Sequence, residues 1–426
     1  MKVLTELLKE KYKLDKIKEI TKVIMDSRKI EEGALFFAIN NGNSYIDDVL
    51  KKGVSLVIAD NYSGNDIRVI KVKDSILELQ ELATEYRKAL GIKVIGITGS
   101  NGKTTTKDII HSILSQKYSC KKTEGNYNNH IGLPFTILQL QDGDEVSVLE
   151  MGMSEFGEID RLCQIAQPDY GVITNIGDSH LEYLKTRENV FKAKGEMIKY
   201  ILPENLIIYG NDFYLKSVNG ITIGYGDNCQ NQIKDYFDSD GGIKFTIGNE
   251  EYRVNLNGKH NCINSAMAIT IGKEFNLTFN EIQAGLNSLN LTPMRFQRIE
   301  KGETLYINDA YNASPISMKY SLETFDKLYN DRDKIVVLGD MLELGENEIE
   351  FHKEVLEKAL EIKVNKIYIY GTRMEKAYNL LNRNKNIEYF SEKELLKDSL
   401  REEFPQRKAV LLKGSRGMKM EDVIEG

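Results

Sequence analysis

The sequence predicts an α/β protein of three domains, and three observations carry that prediction. Its 426 residues suffice for about two or three domains. Apolar, β-branched runs alternate with stretches of helical periodicity, the pattern of open parallel sheets covered by helices. That alternation forms two long series, separated near Pro293 and preceded by a segment of shorter runs.

The first domain is expected over residues 1–80. ALFFAI (34–39), VSLVIA (54–59) and IRVIKV (67–72) read as short strands between polar, Gly/Asn-rich turns. SILELQELATEYRKAL (75–90) spaces leucine and alanine helically and leads into the second domain, 81–292. There IKVIGIT (92–98), a helix after Gly102, VSVLEMG (146–152) and YGVITNIG (170–177) alternate as in a parallel sheet. FTIGNEEYRVNL (245–256) alternates on both sides of Gly248-Asn249, which predicts an edge hairpin. SAMAITIGKEF (265–275) resumes helix, and the polar LNSLNLTP marks the border of the third domain, 293–426. That domain repeats the alternation with LYIND, a helix around 317–328, KIVVLGD (334–340), a helix 348–360, KIYIYG (366–371) and AVLLKG (409–414).

Composition narrows the function classes. The chain is 41% hydrophobic and 28% charged, as a folded soluble protein is. Its net charge of −7 gives no general attraction to nucleic acid or anionic membrane, so an anion must be held by a local site. Cys120, Cys163, Cys229 and Cys262 have neither metal-like nor paired spacing, which fits reduced thiols. The start, MKVLTELLKEKYKL, interrupts its apolar residues with charges and does not read as a signal peptide. A cytoplasmic protein without membrane insertion is expected.

The chemistry points to GITGSNGKTTTKD (96–108). It resembles the phosphate loop G-x-x-x-x-G-K-[ST], except that Ile97 stands where the first glycine belongs. Backbone N–H groups of Gly99, Ser100, Asn101, Gly102, Lys103, Thr104 and Thr105 at a helix start favour an anion, and glycine lets the chain approach it. Lys103 would reach outer phosphates and the Thr104 hydroxyl a Mg²⁺. Ligands of open parallel sheets gather beyond the strands' carboxyl ends, where Glu150 and His180 follow two strands. A carboxylate there suits Mg²⁺, although a salt bridge or a helix cap would also explain it. TEGNYNNHIGLP (123–134), INDAYNASP (307–315, with Asp309 and Asn312) and KGSRG (413–417, with Ser415 and Arg416) read either as ligand loops or as ordinary turns.

GSNGKTT, LEMGMSEFGEI, GDSHLE, FKAKGEM, DAYNASP, VLGDMLELGE and LKGSRGM, in one order along the chain, resemble motifs of the Mur ligase family, ATP-dependent amide-forming enzymes of peptidoglycan synthesis. The family's own loop lacks the earlier glycine. The resemblance implies a uridine-binding first domain, a central P-loop ATPase domain and a Rossmann-like third domain that closes over ATP. It implies ATP with two Mg²⁺, and as partners UDP-N-acetylmuramoyl-tripeptide and D-alanyl-D-alanine, in a monomer. Lys103 and Thr104 would hold the triphosphate, and Thr104, Glu150, His180 and a carbamylated Lys194 the metals. His260, Asn261, Asn264, Arg295, Asp309 and Asn312 would contact the nucleotide. Ser27, Arg28, Asn128, Asn129 and Ser415 would face substrate. The chain departs from the family pattern at Ser314 (usually Asn), Met294 (commonly Gly), Asn308 (often Asp) and NGNSYIDD (41–48). A folylpolyglutamate-synthase-like ligase, a P-loop kinase or GTPase, and a nucleotide switch are the alternatives. ENVFKAKGEMI reads as helix, with Val190, Ala193 and Met197 on one stripe and Lys192 and Lys194 on different faces.

Overall fold

The computed structural model describes residues 1–239, 241–402 and 407–424 and contains three sheets. The first is parallel, with strands β1 (Val23–Ile24), β2 (Leu35–Ala38), β3 (Leu56–Ala59) and β4 (Val69–Lys71) side by side in that order. The second comprises β5 (Lys93–Thr98), β6 (Cys120–Lys122), β7 (Val146–Glu150), β8 (Tyr170–Ile173), β9 (Leu206–Tyr209), β10 (Ile221–Gly224), β11 (Asn231–Ser239), β12 (Gly242–Ile247) and β13 (Glu250–Val254). Its spatial order is β13-β12-β11-β10-β9-β8-β5-β7-β6, parallel except for the β11-β12-β13 meander. The third holds β14 (Gln297–Lys301), β15 (Thr304–Asn308), β16 (Asp333–Gly339), β17 (Lys366–Tyr370), β18 (Ile387–Phe390) and β19 (Lys408–Lys413) in the order β14-β15-β19-β16-β17-β18. Among the described residues only its β14-β15 pair is antiparallel.

The α/β reading is therefore correct. The hairpin at Gly248-Asn249 pairs Ile247 with Glu250. Strand β5 is buried from Val94 to Thr98, as a central parallel strand covered on both faces must be. The helix after it, Lys103–Leu114, buries Ile109, Ile110, Ile113 and Leu114 in a core shared with Ala266 and Ile269 of helix Lys259–Glu274.

Helix Ser75–Leu90 begins where the Asp74 carboxylate accepts the N–H groups of Ile76 and Leu77, satisfying two free donors of the first turn. Its Leu79, Leu82, Ala83 and Tyr86 lie in one core that also takes Leu35 and Phe37 from the first sheet and Leu133, Ile159 and Leu162 from the second unit. Position 80 thus falls inside a helix that serves both. The charge-interrupted start is an amphipathic helix, Lys2–Tyr12, with Leu4 and Leu8 buried one turn apart. No helix among the described residues is long and apolar enough to cross a membrane, and all four cysteines are buried and free.

Candidate active site

The phosphate-type loop lies between β5 and helix Lys103–Leu114, at the carboxyl end of the sheet. Its shape depends on glycine. Gly99 has φ 144° and Gly102 φ 82°, regions that side-chain-bearing residues avoid. A Cβ on Gly99 would stand 1.9 Å from Thr174 Oγ1, and one on Gly102 2.6 Å from Asn264 Oδ1. Ile97 is fully buried inside β5, so the loop turns only after Thr98 and position 97 serves the core rather than the turn.

The turn after β8 braces this loop. Thr174 Oγ1 and Asn175 Nδ2 donate to the Asn101 carbonyl at 2.6 and 2.9 Å. Asn175 Oδ1 accepts the Asn101 N–H at 3.1 Å, and Ser100 Oγ accepts the Gly177 N–H at 2.9 Å. Thr105 is buried beneath the loop. Lys103 folds back, donating from Nζ to the Gly99 carbonyl at 2.8 Å. Burial lowers its pKa, opposed by Glu150 and assisted by Arg295.

Glu150, at the end of β7, is buried. Asn128 Nδ2 donates to its Oε1 at 2.9 Å, while Oε2 is buried without a partner among the described residues. A lone buried carboxylate oxygen is costly unless something cationic meets it. Asn128, expected to face substrate, is thus turned to Glu150, and Asn129 accepts the N–H groups of Ile131 and Gly132 through Oδ1. His180 has φ 55°, and its Nδ1 lies 2.8 Å from Glu343 Oε2. Burial lowers its pKa, the Glu343 carboxylate opposes that shift, and the lysines Lys194 and Lys103 add to it. Among the described residues no group of three or more His, Cys, Asp or Glu side chains is placed to hold a metal.

Helix Arg187–Lys194 buries Val190, Ala193 and Lys194, and Met197 lies in the same core. The two lysines diverge. Lys192 is exposed and pairs with Glu188 at 2.7 Å. Lys194 is only 1% exposed, and its pKa is lowered well below the ordinary value by burial and by the Lys103 charge.

The third sheet's domain closes the cleft. Arg295 Nη2 donates to Thr104 Oγ1 at 2.9 Å, with its guanidinium 4.0 Å from the Tyr311 ring centroid. Met294 and Phe296 on either side have φ 63° and 52°, a left-handed backbone that glycine adopts more readily. Ser314 is the N-cap of helix Pro315–Lys327, accepting the Ser317 N–H, and its Oγ donates to Asn101 Oδ1 at 2.8 Å. Asp309 receives the Lys413 ammonium at 2.6 Å, and Asn312 Oδ1 accepts the Ala313 N–H at 2.9 Å. Ser415 Oγ accepts the Leu342 N–H at 2.9 Å. Asn308 Oδ1 accepts the Ala310 N–H.

From the central domain, Asn261 and Asn264 are buried on helix Lys259–Glu274, and burial lowers the His260 pKa to about 4. The structure therefore gathers Lys103, Thr104, Glu150, Asn264, Arg295 and Asn101 at one cleft. Ser27 and Arg28 lie in the first unit. Arg28 is exposed and forms a bidentate pair with Asp26, and no hydrogen bond or ion pair among the described residues ties either to the phosphate loop. Sequence reasoning missed Lys413, Glu343 and the Thr174-Asn175 brace. Lys413 was readable as a lysine ending a buried strand.

A glycine-shaped loop at a helix start, roofed by a second α/β unit that sends an arginine into it, defines a P-loop-type phosphate-binding protein whose site is completed between domains. Comparisons with known proteins agree. The family model for the Mur ligase middle domain matches residues 97–272, and that for the Mur ligase, glutamate ligase domain matches 294–416. UDP-N-acetylmuramoyl-tripeptide--D-alanyl-D-alanine ligase of Bacillus subtilis (strain 168) is 39% identical over 421 residues, 95% of this chain and 92% of its own. MurF from Acinetobacter baumannii superposes with a TM-score of 0.87 at 27% identity, over 100% of this chain and 97% of that one. MurF ligase from Thermotoga maritima in complex with ADP gives 0.84 at 30% identity, over 95% and 96%. The chain belongs to the Mur ligase family.

Proposed function

We propose that the protein is an ATP-dependent ligase that joins D-alanyl-D-alanine to UDP-N-acetylmuramoyl-tripeptide in peptidoglycan precursor synthesis. The relatives named above support it. The division of labour is a uridine-sugar domain at 1–80, an ATP-binding domain at 81–292 and a ligase domain at 293–426. The observation that carries the reading is Lys194, buried beside Lys103 with no anion paired to it among the described residues. A kinase, GTPase or nucleotide switch needs the phosphate loop but has no use for that lysine.

In this reading the tripeptide's terminal carboxylate attacks the γ-phosphate of ATP, ADP leaves, and an acyl phosphate forms. The amine of D-alanyl-D-alanine then attacks the acyl carbon, loses a proton, and expels inorganic phosphate through a tetrahedral intermediate. Lys103 neutralises charge on the phosphates and the loop N–H groups orient them. Arg295 supplies a second cation from the third domain, whose closure excludes water that would hydrolyse ATP. Glu150 Oε2, buried and unpartnered among the described residues, fits a Mg²⁺, and Thr104, His180 and Lys194 would complete two sites. Mg²⁺ would draw charge from the phosphates as two anions meet. For Lys194, the neutral amine favoured by its burial adds CO₂ and releases a proton, leaving a carbamate oxygen of the kind Mg²⁺ prefers.

Phosphate release, measured with ATP alone, with the UDP-tripeptide, and with D-alanyl-D-alanine added, tests the assignment. Release is expected only with both partners present, with one amide formed per phosphate. Equal release from ATP alone would rule the ligase out.

A further inference from the structure

Two aromatic rings from different domains meet at the cleft. His260, on helix Lys259–Glu274, and Tyr320, on helix Pro315–Lys327, stack with centroids 5.3 Å apart and planes 7° from parallel. We propose that Tyr320 is a base-stacking residue for the nucleotide, covering the purine from the third domain beside His260. This rests on the ATP assignment above.

The geometry runs along both helices from the same origin. At the phosphate end, Asn264 abuts Gly102. His260 lies one turn away on the same face, since residues four apart on a helix are neighbours with Cβ atoms about 5–6 Å apart. On the opposite wall, the N-cap Ser314 bonds Asn101 of the phosphate loop. Tyr320 follows six residues later, a rise of about 9 Å along the helix. A molecule with its phosphates on the loop and its body between these helices therefore brings its base to the His260-Tyr320 pair. The other third-domain side chains expected to touch nucleotide lie at the phosphate end or are held within their own domain. Arg295 faces Thr104, Asp309 holds Lys413 and Ser321, and Asn312 Oδ1 accepts the Ala313 N–H. Tyr320 is 40% exposed and so can give way as a base enters. Parallel rings at this spacing suit a planar aromatic ligand.

The chain contains no tryptophan, so Tyr320→Trp places the variant's one tryptophan at the site, where it can be excited apart from tyrosine. ADP is expected to quench it, and inorganic tripolyphosphate to leave it unchanged. Base–aromatic stacking contributes enough that Tyr320→Ala should weaken ADP binding about 5- to 100-fold, with tripolyphosphate affinity unchanged and Tyr320→Phe close to the parent protein. Fluorescence of the Tyr320→Trp variant that responds equally to ADP and tripolyphosphate, or an alanine variant that binds ADP as the parent does, would overturn the stacking role while leaving the nucleotide assignment intact. If the parent protein itself fails to bind ADP in calorimetry, the nucleotide assignment falls and this role with it.

Discussion

The floor and the roof of the cleft each bury a lysine, and the two are treated differently. Lys413, at the end of β19, is 3% exposed and meets the Asp309 carboxylate at 2.6 Å, with the carbonyls of Asp309 and Asn312 nearby. Lys194, on the floor, is as deeply buried, yet the charge that acts on it is another cation, Lys103. Burying a charge is tolerable only with compensation. Lys413 is compensated within the fold and reads as architecture. Lys194 is not, and reads as a group awaiting chemistry.

Removing each lysine's support should separate the two roles most sharply. Lys194→Ala is expected to lose activity by about 10²–10³, as when a preorganised charged group is deleted from an active site, with no fall in Tm. Acetate, which can fill the vacated anion position, should restore part of it. Full activity without any additive would show that Lys194 is merely buried. The opposite pattern is expected on the roof. Asp309→Ala strands Lys413 and should destabilise the protein by about 3–5 kcal/mol, the effect of breaking a buried pair from one side. Burial already holds the Lys413 pKa below its ordinary value, so the unfolded chain binds more protons than the folded one in alkaline solution. The variant's stability should therefore rise as pH increases toward about 10, and a denaturation series that is flat with pH would contradict this.

A smaller effect is expected from Asn128→Ala, which frees Glu150 Oε1. Second-sphere partners of metal ligands typically contribute about 10–100-fold in metal affinity, so the Mg²⁺ concentration for half activity should rise while the KM for the UDP-tripeptide stays put. A raised KM with unchanged Mg²⁺ dependence would return Asn128 to the substrate-facing role its loop suggests. Smallest is Lys192→Ala, two residues from Lys194 but exposed. It should stay within about 0.5 kcal/mol and keep its activity; inactivation by this change alone would mean the two lysines had been interchanged.

Local pattern made much of this readable. β5, the loop and the helix behind it are contiguous, so spacing alone locates them, and the divergence of Lys192 and Lys194 follows from helical period. Helices Lys2–Tyr12, Glu158–Ala166 and Phe279–Asn287 went unread because they are short or broken by charged and polar residues. The site's own wiring was hidden for a different reason. Asn128 reaches Glu150 across 22 residues of chain, Thr174 reaches Asn101 across 73, and Lys413 reaches Asp309 across 104. Such contacts exist only once the sheets have formed, and no window of sequence contains both partners. The glycine that the family resemblance leads one to expect at position 294 points to a backbone need, and Met294 itself has a left-handed φ.

Those backbone angles have a mechanical consequence. Arg295 sits between two left-handed residues in the short crossing from the second unit to the third. The crossing is pinned behind by the Thr292 N–H on Asp108 and ahead by the Phe296 N–H on Asp309. Rotation of the third unit must pass through these same few torsions. Any rotation of the third unit about this crossing would therefore carry Arg295 away from Thr104 in the same movement that widened the cleft.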